Sequence, residues 1–175
     1  MKKRKKKHAR SPILAAGGIV FRHGARPLVA IVQRRKDGRW VLPKGKLKRH
    51  ESNLKGARRE AVEETGQKVC VHEFLGVLSY GSSGKPKITR FWRMESRGDT
   101  AHGLQRDIKA VEWLSLKDAI DQLSLPVEKM FLSEIGRSAM RAARTASKSR
   151  SARRGALRRS AAKPVKNLFS RLFGG

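Results

Sequence analysis

The feature that most constrains this chain is the stretch from Ser52 to Thr65, which reads as a helix stopped by Gly66 at a C′ position. On an ideal helix, at about 100° per residue, Glu60, Glu63 and Glu64 fall within an arc of about 100°. Leu54, Ala57, Ala61 and Thr65 occupy the neighbouring arc and are expected to face a core. The helix must therefore pack by one face and carry its carboxylates along the edge of that face. Acids at i, i+3 and i+4 repel by a few tenths of a kcal/mol per pair, so the arrangement calls for compensation. Arg59, one turn before Glu63, offsets part of it. A divalent cation would offset more, and hard oxygen donors suit Mg²⁺ or Mn²⁺. The alternative is an ordinary solvated acidic face. Against it, acids number only 14 in 175 residues, yet four fall between Glu51 and Glu64.

Around this helix the chain reads as short strands. Ile13–Phe21 and Leu28–Val32 are apolar runs separated by turn residues, and the second is expected to be buried on both faces. Trp40–Leu42 is a brief strand halted by Pro43, followed by a polar, basic loop from Lys44 to His50. Phe74–Tyr80 and Ile88–Met94 form a hairpin around Gly81-Ser82-Ser83-Gly84, and Ile108–Leu114 is a further strand. Lys117–Leu123 and Val127–Arg141 have helical spacing, the latter with Met130, Phe131 and Ile135 on one side. Strands with two or three helices and no regular βαβ alternation predict an α+β fold, an α/β/α sandwich around a central mixed β-sheet flanked by helices.

Charge divides the chain. Lys and Arg total 42, a formal net charge of +28, and residues 1–10 hold seven of them with no acid. Residues 137–175 hold twelve more, again with no acid, so the segment between carries all 14 acids. The expected organisation is a basic tail over 1–10, one domain over 11–142 and a second basic tail over 143–175. Like-charge repulsion and little apolar surface predict tails disordered in isolation that attract nucleic acid, an acidic membrane surface or a polyphosphate. The last residues differ: Val165, Leu168, Phe169, Leu172 and Phe173 recur at three to four, a short amphipathic pattern that would lie on a membrane or a partner. Cys70 is the only cysteine, which excludes an intrachain disulfide and places it as a small core residue. Lys2–Lys7 followed by Ile13–Phe21 imitates a signal peptide, but the run is short, carries Gly17-Gly18 and offers no cleavage site. A cytoplasmic protein without a transmembrane segment is the expectation.

The segment Gly45 to Gln67 resembles the Nudix box, G-x5-E-x7-R-E-U-x-E-E-x-G-U with U a bulky aliphatic residue. Gly45, Glu51, Arg59, Glu60, Glu63, Glu64 and Gly66 match all seven fixed positions in a window of 23 residues. Ala61 and Gln67 depart from the U positions, which touches local packing and not the acids. The resemblance runs from about Ile13 to Ile135, through Trp40-Val-Leu-Pro-Lys-Gly before the box and Val111-Glu-Trp-Leu after it. It implies a Nudix fold and metal-dependent cleavage of a phosphoanhydride bond. It also implies that Glu60 and Glu64 ligate Mg²⁺ with help from a backbone carbonyl near Lys44–Gly45. Glu63 would complete the ligand set or act as general base, Arg59 would orient the carboxylates, and Glu51 would support the loop or a second metal.

The substrate is read from charge. Lys44, Lys46, Lys48, Arg49 and His50 lie beside the acids, and Lys85, Lys87, Arg90 and Arg93 lie on the hairpin. Lys44, Lys46 and Arg90 are the candidates for binding phosphate, which favours a highly charged polyphosphate chain. Glu112-Trp113 followed by Lys117-Asp118-Ala119-Ile120 resembles the branch acting on diadenosine and diphosphoinositol polyphosphates. A nucleoside triphosphate sanitising enzyme, an RNA 5′-end pyrophosphohydrolase gripping its substrate with the tails, and a non-catalytic binding protein on the same scaffold are the alternatives. Phe91 or Trp92 would stack on a base, or lie in the core.

Overall fold

Strand β1 (Ile13–Arg22) is apolar on both faces, and the whole fold is built outward from it. In a computed structural model, which describes residues 11–22, 26–82, 84–101 and 103–161, β1 lies inside a seven-stranded mixed sheet. It runs parallel to β6 (Lys85–Thr100), in register from Ile13↔Lys87 to Phe21↔Glu95. On its other side it pairs antiparallel with β2 (Leu28–Arg34) at Phe21↔Val29 and with β4 (Lys44–Lys46) at Ala16↔Gly45. Strand β2 also carries β3 (Trp40–Val41) and β7 (Ile108–Leu114), and β5 (Gln67–Ser82) closes the sheet on β6.

Alternation along the strands decides which helix each face receives. Ile19, Phe21, Val29, Ile31 and Phe91 point to one side, where Ala119 of α2 (Leu116–Gln122) and Leu132 and Ala139 of α3 (Pro126–Ala161) cover them. Ala16, Val20, Ala30 and Met94 point to the other, where Ala57 and Ala61 of α1 (Asn53–Thr65) pack. Small residues dominate the α1 side, so that helix approaches the sheet closely. The expected α/β/α sandwich around a mixed sheet is the observed architecture.

Several local expectations need correction. Lys44–Lys46 is strand β4 and not a loop, because pairing with β1 at Gly17↔Lys44 supplies hydrogen bonds that its own polar side chains do not signal. A Cβ at Gly17 would overlap the Pro43 carbonyl, so this glycine permits the close approach. Leu54 does not face the core but is 48% exposed. The buried edge of α1 is instead Gly56, Ala57, Glu60, Ala61, Glu64 and Thr65, with Leu47 packed where a Gly56 side chain would stand. Strands β5 and β6 extend well beyond their apolar centres, and β5 is kinked by register shifts between Val71 and Gly76. Cys70 is half-buried on β5 and not part of the core.

The boundary between 142 and 143 falls inside α3, which continues to Ala161. Ala and Arg are strong helix formers, and a helix already nucleated on the core by Leu132, Ala139 and Ala143 is cheap to propagate. The tail at 1–10, Ser83 of the hairpin and the amphipathic stretch Val165–Phe173 lie outside the described residues. Among the described residues, no helix is long and apolar enough to cross a membrane.

Candidate active site

Helix α1 starts where Ser52 accepts a hydrogen bond from the Lys55 amide and ends where Gly66 turns left-handed at φ 67°. These two caps fix the phase of the helix, and with it the direction of every acid. Glu60 and Glu64 are buried against β4, whereas Glu63 is half-exposed on the rim. A Cβ at Gly45 would overlap the Glu60 carboxylate, so glycine here lets the backbone of β4 lie directly on that acid.

Arg59 organises the acids. Its Nε and Nη2 donate to the two oxygens of Glu51 at 2.8 and 2.9 Å, a bidentate pair. Its Nη1 donates to Glu60 Oε1 at 2.6 Å and to Glu63 Oε2 at 3.0 Å, and Nη2 also reaches the Lys46 carbonyl at 3.2 Å. One guanidinium thus gathers three of the four acids of the box and ties α1 to the loop that precedes it. Glu51 additionally accepts the Lys48 amide at 2.9 Å. Hydrogen bonding from Arg59 first, and then from the Lys48 amide, lowers the Glu51 pKa to about 2 against the opposing effect of desolvation.

The fourth acid, Glu64, has no arginine. Its Oε2 accepts the Lys44 amide at 2.8 Å. Burial dominates and pushes its pKa up to about 8, with Lys44 opposing and the charges of Glu60 and Asp107 adding to the rise. Glu60 is shifted upward too, first by burial and against the pull of Arg59. Two neighbouring buried carboxylates that resist ionisation mark a place where positive charge is short.

Among the described residues, no three His, Cys, Asp or Glu side chains converge tightly enough to hold a metal as they stand, since Arg59 draws Glu51, Glu60 and Glu63 to itself. The donor chemistry nevertheless fits a hard divalent cation. Glu60 and Glu64 offer carboxylate oxygens in a buried, charge-deficient position, and the Gly45 backbone abuts one of them.

The phosphate candidates separate. Lys44 is buried, and its Nζ contacts Glu128 Oε1 at 2.9 Å and the Leu42 carbonyl at 3.2 Å. Its ammonium is directed into the α3 side of the sheet, while its amide serves Glu64. Lys46 is exposed beside Arg59, and Arg90 reaches Asn53 Oδ1 at the start of α1 at 3.4 Å. Of the hairpin cations, Arg93 is buried and paired with Glu73 and Glu95 at 2.7 and 2.6 Å. Burial and then the neighbouring Lys44 lower the Lys87 pKa to about 8. Phe91 is wholly buried against Phe131, with ring centroids 5.1 Å apart, and Trp92 meets Phe74 edge-on at 5.2 Å.

Three residues of the site escaped sequence reasoning. Gln105 donates to Glu63 Oε2 at 3.0 Å, and Asp107 adds its charge beside Glu60 and Glu64. Both stand in the irregular stretch before β7, where no periodicity singles them out. Glu128 carried a usable signal, an acid at helical spacing with Phe131, Leu132 and Ile135 on the apolar side of α3.

A mixed sheet between helix layers carries a capped helix whose Arg59 gathers Glu51, Glu60 and Glu63 beside the buried Glu64, and comparison with known proteins gives the family of this arrangement. The NUDIX domain model matches residues 12–132, and the chain belongs to that family, its domain being a pyrophosphohydrolase domain. It is similar to the rat bis(5′-nucleosyl)-tetraphosphatase (asymmetrical), 31% identical over 133 residues that cover 69% of this chain and 90% of the relative. It is also similar to an 8-oxo-(d)GTP phosphatase of Mycolicibacterium smegmatis, 30% identical over 73% of this chain, which spans 42% of that relative's length. Among solved structures, a Caenorhabditis elegans Ap4A hydrolase binary complex superposes with a TM-score of 0.63 at 26% identity, covering 71% of this chain and 95% of that one.

Proposed function

We propose that this protein is a Mg²⁺-dependent hydrolase that cleaves a phosphoanhydride bond in a polyphosphorylated substrate, with a dinucleoside polyphosphate or a diphosphoinositol polyphosphate as the favoured class. The observation that carries this reading is the pair of buried carboxylates, Glu60 and Glu64, whose pKa values burial raises beside a backbone kept bare by Gly45. Glu60, Glu64 and the Gly45 backbone would hold the ion, with Glu63 and Glu51 within reach of the same edge. When bound, the ion supplies charge neutralisation on the bridging phosphates and acidifies a water. Glu63, on the rim and hydrogen-bonded by Arg59 and Gln105, would accept a proton from the attacking water or complete the ligand set. Arg59 would orient the carboxylates through its ion pairs, Glu60 turning part of its carboxylate from Arg59 to the ion on loading. Lys46 and Arg90 flank the edge and would meet phosphate oxygens.

The substrate class rests on the rat tetraphosphatase and the nematode Ap4A hydrolase, together with the cations around the acids. The mycobacterial 8-oxo-(d)GTP phosphatase supports a second reading, hydrolysis of a modified nucleoside triphosphate. Phosphate release should be assayed with Mg²⁺ on canonical and oxidised nucleoside triphosphates, diadenosine polyphosphates, diphosphoinositol polyphosphates and 5′-triphosphate RNA. Turnover of one class that collapses in both Glu63→Gln and Glu64→Gln is the expected result. Metal-independent turnover, or equal rates in wild type and both variants, would overturn the proposal.

A further inference from the structure

Helix α3 holds 36 residues, about 54 Å at 1.5 Å per residue. Ala143 is its last residue in the core among the described ones. Arg137, Arg141 and Arg144 are exposed and stand at i, i+4 and i+7, within an arc of about 60°. That arc is opposite the buried line of Leu132, Ala139 and Ala143. With Met140 and Thr145 the three arginines border one shallow groove along the helix. None of the three has an ion-pair partner among the described residues. The sequence extends the same character, since residues 144–161 hold seven Lys/Arg and no acid.

A helix of this kind works against itself. Each like-charged pair at i+3 or i+4 opposes helicity by a few tenths of a kcal/mol, and no acid on the segment relieves it. A polyanion lying along the helix would. The chemistry of the segment selects the polyanion: Leu157 is the only large apolar residue in 144–161, so no apolar stripe exists to enter a lipid headgroup region. Arginine forks suit phosphodiester oxygens spaced regularly along a strand.

We infer that the outward face of α3 carrying Arg137, Arg141 and Arg144 is a nucleic-acid interface that grips the phosphate backbone without reading sequence. The interface is independent of the hydrolase reading and leaves the acids of α1 untouched. It gives the domain a means of residing on RNA or DNA while its catalytic edge remains open.

The test is fluorescence anisotropy of the full chain with labelled RNA and duplex DNA of about 20 nucleotides per strand, titrated between about 50 and 200 mM salt. Vesicles of phosphatidylserine and phosphatidylcholine form a parallel arm. Arg137→Gln/Arg141→Gln/Arg144→Gln should weaken binding at low salt at least tenfold. It should also flatten the slope of log K against log salt by about 2 to 3, one counterion per lost contact. The matching triple substitution to Lys keeps the charges and should retain most of the slope. Hydrolysis of a small nucleotide and the helical circular dichroism signal should be unchanged in both, which separates this inference from the catalytic one. Nucleic-acid affinity and slope unchanged in the Gln variant would overturn it, as would binding to anionic vesicles in preference to nucleic acid. A Lys variant as weak as the Gln variant would overturn the phosphate-backbone reading.

Discussion

Lys44 and Glu128 form an ion pair at 2.9 Å with almost no exposure of either side chain, 3% and 0%. Glu128 also accepts the Leu42 amide at 2.8 Å, and the Lys44 amide donates to Glu64 at 2.8 Å. The first turn of α3 therefore holds the backbone that touches the acidic edge of α1, although helix and edge lie on opposite faces of the sheet.

Removing one partner of this pair should be worse than removing both. Glu128→Ala strands a buried ammonium and should destabilise the protein by about 3 to 5 kcal/mol. The double substitution Lys44→Met/Glu128→Leu replaces the charges with apolar groups of similar size and should recover most of that loss. Urea unfolding of Glu128→Ala, of Lys44→Met and of the double variant gives the comparison. Additive losses would mean that the pair is not coupled.

The Arg59–Glu51 clamp predicts an acid-side dependence of stability. The carboxyl of Glu51 is lowered from its ordinary 4.5 to about 2 in the folded protein, so the unfolded chain binds its proton first as pH falls. The clamp's contribution is complete above pH 4.5 and disappears as pH drops towards 2. In urea titrations from neutral pH to pH 3, Glu51→Gln should lose less stability than wild type. Parallel curves would refute the assignment.

Glu64 has the opposite sign. Its folded pKa, about 8, is above its ordinary 4.5, so the native state binds the extra proton and chelated protein should lose stability as pH rises between those values. Mg²⁺ competes for the deprotonated carboxylate and should raise the melting temperature more at pH 8 than at pH 5.5. Glu64→Gln should remove both effects. Melting curves with EDTA and with Mg²⁺ at the two pH values decide this, and a Mg²⁺ shift equal at both would contradict it.

Gly45→Ala tests how tightly β4 lies on Glu60. The new Cβ meets the end of a flexible side chain, so Glu60 can swing aside at a cost of about 1 to 3 kcal/mol. On the proposed reading the displaced carboxylate would no longer serve a cation, and turnover should fall at least about a hundredfold, more than the stability change alone explains. Loss of stability with turnover intact would show that Glu60 is not needed where it stands.

The site was legible wherever its logic is local. Helical periodicity alone put Glu60, Glu63 and Glu64 along one edge of α1, and the spacing of Gly45, Glu51, Arg59 and Gly66 identified the motif. The unbroken apolar runs Ile13–Phe21 and Leu28–Val32 gave the buried strands, because a strand covered on both faces is apolar at every position. Gln105 and Asp107 carry no such pattern, and their roles exist only because β7 brings the preceding loop beside α1.

What the sequence by itself determined is therefore the helix, its acids and the strands written as apolar runs. Tertiary structure alone decided that the basic run Lys44–Lys46 becomes a strand, that Leu54 turns outward and that Lys44 gives its ammonium to Glu128. The physical reason is range. Turn caps and side-chain periods act over about one turn of helix or a few residues of strand, whereas Leu42 and Glu128 are 86 residues apart. A backbone amide or a buried charge takes whichever partner packing delivers, and that partner is fixed only when the sheet and its two helix layers close.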